Sequence, residues 1–188
     1  IGIVSNTGAF ATGDIESTTA SDGYAMLDSD VIEGSTPEVS WIQNADINPI
    51  DLTGYPDVVV QFENNYRRWD SQIYMVVGFG NGTGASSVTW PNVINGFDAS
   101  TDVNVYEVFP TLNTNNDESA NPELVQIVIS DAIAAAGQID DVYIRFVWTG
   151  LWSYSWFIDD VSVVEQPDND IQLVSSWVLG QNNEGIEY

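Results

Sequence analysis

Asp159 has the most chemistry to account for. It lies in the run Trp156-Phe-Ile-Asp-Asp-Val-Ser-Val-Val164, whose alternation reads as a β-strand. That alternation puts its carboxylate on the same face as Phe157, Val161 and Val163. A carboxylate on an apolar face must find a partner, because burying it alone costs several kcal/mol or neutralises it. The partners on offer are the guanidinium of Arg145, backbone N–H groups or a metal ion. The run Val142–Trp148 has the same alternation, and the polar and aromatic residues 149–155 separate the two, so together they read as a β-hairpin. With Trp148 opposite Trp156, Arg145 falls opposite Asp159, and a cross-strand ion pair becomes the simplest arrangement.

A second constellation is aromatic: Tyr66, Trp69, Trp90, Trp152 and Tyr154, with Arg68 in the run Tyr66-Arg-Arg-Trp69. Exposed indoles stack on the C–H faces of sugar rings while nearby Asn, Asp and Arg bind hydroxyls, the usual mixture of apolar walls and a few placed polar groups. Trp148 and Trp156 are expected in the core instead. Trp69 and Trp152 fit a surface role or a sheet edge equally well. Paired carboxylates could serve a glycosidase, but acids are so abundant that any pair can be found. No nucleophile elbow, phosphate loop or metalloprotease helix is present. We therefore expect no enzymatic activity.

The charge is lopsided: in 188 residues, 28 acids stand against three arginines, with no lysine, histidine or cysteine, for a formal charge of −25. This excludes a nucleic-acid partner, which needs Lys and Arg for phosphate contacts, and opposes an anionic membrane surface. Lack of histidine removes the commonest general base and zinc ligand. Lack of cysteine removes disulfides and thiol chemistry. No apolar run is long enough to span a bilayer, so no membrane insertion is expected. An acidic extracellular protein that holds divalent cations fits these numbers. The sequence opens at Ile1 and shows no signal peptide, which reads as a mature chain or a piece of a longer one.

These residues must be positioned mostly by strands. Candidates are the middle of Asp22–Asp30, Glu38–Ile42, Asp57–Glu63, Ser71–Phe79, Val88–Trp90, Val103–Phe109 and Leu124–Ile129, then the two runs of the hairpin. Asp57–Glu63 is apolar enough to be buried on both faces. Gly78–Ser86 is turn material, and Ser130–Gly137 is a short helix with Ser130 or Asp131 as N-cap and Gly137 as its stop. Short strands between Gly, Asn, Pro and Asp clusters point to an all-β, antiparallel sandwich over residues 1–165. Residues 166–188 read as a linker followed by the first strand of a second module, or as an extra edge strand docked on the first.

The segment WFIDDVSV with YIRFVW before it resembles the C-terminal hairpin of MAM-like and cleaved-adhesin-like jelly-roll domains, found in secreted multi-domain bacterial surface proteins, many of them type IX secretion cargo. DGYAMLDSD, INPIDLTGYPDVVVQFENNYRRW and YMVVGFGNGT are similar in the same order, over roughly residues 20–165. The resemblance implies a laminin-G-like or galactose-binding-like jelly roll, stabilised by calcium, that binds glycans or other surface partners. In such jelly rolls an early strand end and the last strand can share an ion, which makes Asp28, Asp30, Asp159 and Asp160 the candidate ligands, with the six to eight oxygens that Ca²⁺ requires completed by carbonyls. The animal branch has cysteines that this chain lacks, so its partners do not carry over. The expected function is a non-catalytic binding or adhesion module at the cell surface. The alternatives are a building block of an extracellular assembly, in contact with neighbouring modules, and an accessory domain of a hydrolase.

Overall fold

The computed structural model describes residues 13–28, 38–45, 48–91, 102–151 and 153–166. Among the described residues eight strands form: β1 (Ala25–Asp28), β2 (Glu38–Gln43), β3 (Val58–Tyr66), β4 (Ser71–Phe79), β5 (Val105–Glu107), β6 (Glu123–Val128), β7 (Val142–Gly150) and β8 (Ser155–Glu165). They make two antiparallel four-stranded sheets, one in the order β1-β8-β3-β6 and the other β2-β7-β4-β5. Val60, Phe62, Trp156 and Ile158 of the first sheet pack against Met75, Val77, Ile144, Phe146 and Trp148 of the second in one buried core. The fold is a β-sandwich.

Val88–Trp90 forms no strand and follows a 3₁₀ turn at Ala85–Ser87, and β5 keeps only three residues of Val103–Phe109. The helix α1 spans Ser130–Ala135, but Ile129 holds the N-cap position and no side chain caps it. β3 is not buried on both faces: Val59, Gln61 and Glu63 on its outer side are only half-buried. The segment 166–188 lies outside the described residues beyond Gln166.

The expected hairpin does not form. β7 pairs with β2 and β4, whereas β8 pairs with β1 and β3 in the opposite sheet. Both runs carry bulky apolar residues on the face turned to the core, so they bury more by lying face to face across the sandwich than side by side in one sheet. Phe146 and Trp156 meet there edge to face, 5.8 Å between ring centres. Arg145 and Asp159 consequently sit in different sheets, and the ion pair expected between them is absent.

A bulge also corrects the expected face of β8. Gln61 stands opposite Ser162 and Glu63 opposite Asp159, so β8 carries one residue more than β3 over this interval. Asp160, with φ of +50°, takes up the excess; a short polar side chain tolerates this left-handed backbone better than most. Trp156 and Ile158 point inward before the bulge, and Val163 packs against the core after it. Asp159 thus shares the outer face with Phe157, as alternation requires, but not with Val163, and Val161 is left 47% exposed.

Candidate functional site

Three connections meet at one end of the sandwich. Residues 67–70 cross between the sheets from β3 to β4, Leu151, Ser153 and Tyr154 belong to the connection from β7 to β8, and residues 114–118 run alongside the first. Backbone bonds tie them together: Leu151 N–H donates to Asp70 O at 3.1 Å, Asn116 N–H to Arg68 O at 2.8 Å, and Arg68 N–H to Asp117 O at 2.9 Å. Ser153 accepts from Trp69 N–H at 3.1 Å and shares a 2.5 Å hydrogen bond with the Ser71 hydroxyl. A side chain on Gly150 would run into Asp70 O and Ser71, so glycine allows the crossings to touch.

On this frame sit an aromatic pair and a cation. The indole of Trp69, 39% exposed, stands edge-on to the ring of Tyr154 at 6.4 Å between centres. Arg67 lays its guanidinium 4.2 Å from the centre of the Tyr154 ring. Asn116 Oδ1 accepts from Arg67 Nη2 at 3.1 Å and from the Tyr154 hydroxyl at 3.0 Å, locking both. Asn115 Oδ1 accepts from Asp70 N–H at 3.0 Å. Asp70 and Asn116 hold φ of +47° and +74°, so two polar residues at this rim carry left-handed backbone. The platform is therefore preorganised, and amides and a guanidinium border it.

The sequence points to this rim through Trp69 and Tyr154, and the structure gives their expected neighbours other positions. Tyr66 is buried, its hydroxyl donating to Ser71 O at 3.0 Å, and it holds the crossing from beneath instead of meeting a ligand. Arg68 Nε–H donates to the same carbonyl at 3.0 Å, which ties its side chain to the crossing. Arg67 lies in the run Tyr66-Arg-Arg-Trp69, whose two cations beside aromatics are its signal, although Arg68 is the one singled out there; Asn115 and Asn116 are missed, and the Asn-rich turn Asn113-Thr-Asn-Asn116 is their signal. Trp152 lies outside the described residues.

Trp90 belongs elsewhere, on the outer face of the sheet β2-β7-β4-β5. The Arg145 guanidinium carbon lies 3.6 Å from the centre of the Trp90 ring and 4.9 Å from that of Trp41. Gln43, opposite Arg145 on β2, accepts from its Nε at 2.8 Å and Nη2 at 2.6 Å through one oxygen. Desolvation lowers the Arg145 pKa to about 10, which still leaves it charged near neutrality.

The acids of β8 find neutral partners. On the outer face of the sheet β1-β8-β3-β6, residues 13–24 run across Phe157 and bring hydroxyls to the carboxylates. Ser17 Oγ donates to Asp159 Oδ2 at 2.5 Å, Thr19 Oγ1 to Asp160 Oδ1 at 2.5 Å, and Thr18 gives its N–H and hydroxyl to Glu63 at 2.6 and 2.8 Å. These bonds to ionised acceptors are the stronger kind. Asp28 stands opposite Ser155, four residues along β8 from Asp159, or about 13 Å at strand rise. The structure does not bring Asp28 together with Asp159 and Asp160, and Asp30 lies outside the described residues. Among the described residues no three acids converge as metal ligands.

No protein-family model, curated protein or solved structure matches this chain.

Proposed function

We propose that the chain is a non-catalytic carbohydrate-binding module of a secreted cell-surface protein, and that it binds through the Trp69–Tyr154 rim. One observation carries the reading: an exposed indole is set edge-on to a tyrosine whose ring and hydroxyl are both immobilised, by Arg67 and Asn116. Fixing the platform in advance removes part of the ordering cost of binding. The strand order β1-β8-β3-β6 over β2-β7-β4-β5 supports a jelly roll, and with it the MAM-like and cleaved-adhesin-like resemblance. Binding of neutral polysaccharides by the whole chain, compared with Trp69→Ala and Asn116→Ala, tests the proposal. Both variants are expected to lose at least tenfold in affinity. Parent-like binding by Trp69→Ala refutes the rim.

For the calcium part of the reading, Asp159 and Asp160 of β8 are the weaker candidates, since one oxygen of each accepts from Ser17 or Thr19 and neither lies beside Asp28. That part rests on Asp28 with Asp30. A calcium-dependent rise in the unfolding midpoint of the parent is expected to shrink in Asp28→Asn and to persist in Asp160→Asn.

The building-block reading has its own observation. Val128, Val59 and Val164 form one rung on the outer face of the sheet β1-β8-β3-β6, where Val128, Val164 and nearby Val161 are exposed. Concentration-dependent association of the chain, abolished by Val128→Asp, would favour assembly with neighbouring modules.

A further inference from the structure

Among the described residues none of the three arginines is paired with a carboxylate, in a chain with 28 acids. Arg67 turns to Tyr154 and Asn116, Arg68 to a backbone carbonyl, and Arg145 to two indoles and Gln43. Arg145 is the most informative of the three. Both of its hydrogen bonds go to the same Gln43 oxygen, through Nε and Nη2. Among the described residues the Nη1 donors meet no acceptor, and Nη1 is not among the buried unpartnered atoms. Trp90 covers a face of the group and holds it in place. A Cβ on Gly78 would strike the Trp90 ring and Val88, so the strand beneath is shaped to let that indole lie close. Trp41 flanks the same guanidinium, whose carbon lies 4.9 Å from its ring centre, and still leaves 53% of its surface exposed.

We propose that the Trp41–Arg145 face of the sheet β2-β7-β4-β5 is a second binding surface, and that it takes a sugar bearing a carboxylate, a uronate residue of an acidic polysaccharide. The Nη1–Nη2 edge, which meets no carboxylate among the described residues, is the planar fork that matches a carboxylate with two parallel hydrogen bonds. The exposed indole supplies the stacking surface for the ring that carries it. Gln43 gives the neutral hydrogen bond that orients the fork without consuming its charge. The chain's negative charge opposes an anionic ligand at long range, but salt of physiological strength screens that repulsion beyond about 8 Å, whereas the fork acts in contact. That the carboxylate belongs to a sugar rests on the carbohydrate reading above; that a carboxylate binds here rests on Arg145 alone.

The test is equilibrium binding of the full chain to polygalacturonate, to a neutral galactan and to poly-L-glutamate. Polygalacturonate is expected to bind, with at least a tenfold loss in Arg145→Lys, which keeps the charge and removes the fork, and in Trp41→Ala, which removes an exposed ring. Trp69→Ala is expected to lower galactan binding and leave the effect of Trp41→Ala on polygalacturonate intact. Polygalacturonate binding that is absent, or unchanged in Trp41→Ala and Arg145→Lys, overturns the proposal whether or not galactan binds. Poly-L-glutamate binding as tightly as polygalacturonate overturns the assignment to a sugar.

Discussion

Phe146 of β7 and Trp156 of β8 meet edge to face across the core, although only nine residues separate them in the chain. Their contact is the reason Arg145 and Asp159 part company. Once the two strands face each other, the outward-facing residues of β7 and β8, Arg145 and Asp159 among them, look in opposite directions. Trp156→Ala is predicted to lose about 3–5 kcal/mol in urea unfolding, as for other buried aromatic truncations. Trp156→Phe should cost much less, because it leaves a smaller void and deletes an indole N–H that is buried without an acceptor. Equal losses in the two variants would mean that the ring edge is not what fills this site.

Gly150 touches the neighbouring crossing where Asp70 and Ser71 pass. Gly150→Ala is predicted to destabilise the chain by about 1–3 kcal/mol through overpacking. It should also weaken neutral-glycan binding, since the same contact sets Trp69 beside Tyr154. Circular dichroism melts and binding on one preparation check both. A stabilised Gly150→Ala would show that the crossings have room to spare.

Asp159 is held by Ser17 and not by Arg145. Ser17→Ala is predicted to cost about 1.5–3 kcal/mol, the range for a hydrogen bond to a charged group. In a double-mutant cycle, Arg145→Gln and Asp159→Asn should add within about 0.5 kcal/mol, as distant sites do. A coupling energy well beyond that would restore the ion pair and overturn the sheet assignment of β7 or β8.

Alkaline pH should unfold the chain through its buried tyrosines. Burial pushes the pKa of Tyr66 and Tyr74 up to about 12, against about 10 in an unfolded chain. Their contribution to stability is complete below about pH 10, where both states keep the proton, and is lost as pH rises toward 12, because the unfolded chain releases it first. Urea midpoints should fall across that window, and tyrosinate absorbance of these two rings should appear with unfolding. Titration of Tyr66 while the fold stays intact would contradict its burial.

Much of the fold is legible in the sequence because alternation is a local property. Ser71–Phe79 is a strand with the bounds that its apolar pattern gives, and Glu38–Gln43, Glu123–Val128 and both C-terminal runs differ from expectation by a residue or two. The aromatic residues at Trp69 and Tyr154 are legible too, since loop aromatics have no strand to bury them. Arg67 against Arg68 is not: adjacent residues are chemically identical until the crossing decides which one points to Tyr154 and which to Ser71.

What the sequence by itself determined is a β-rich, strongly acidic chain whose composition excludes thiol and histidine chemistry, with an apolar periodicity sufficient for a two-layer core. Only the tertiary structure decided which strands are neighbours. Period-two alternation looks the same whether the next strand lies alongside in the same sheet or faces across the core. That choice carried Arg145 to Trp41 and Trp90, gave Asp159 to Ser17, and brought three distant connections together around Trp69.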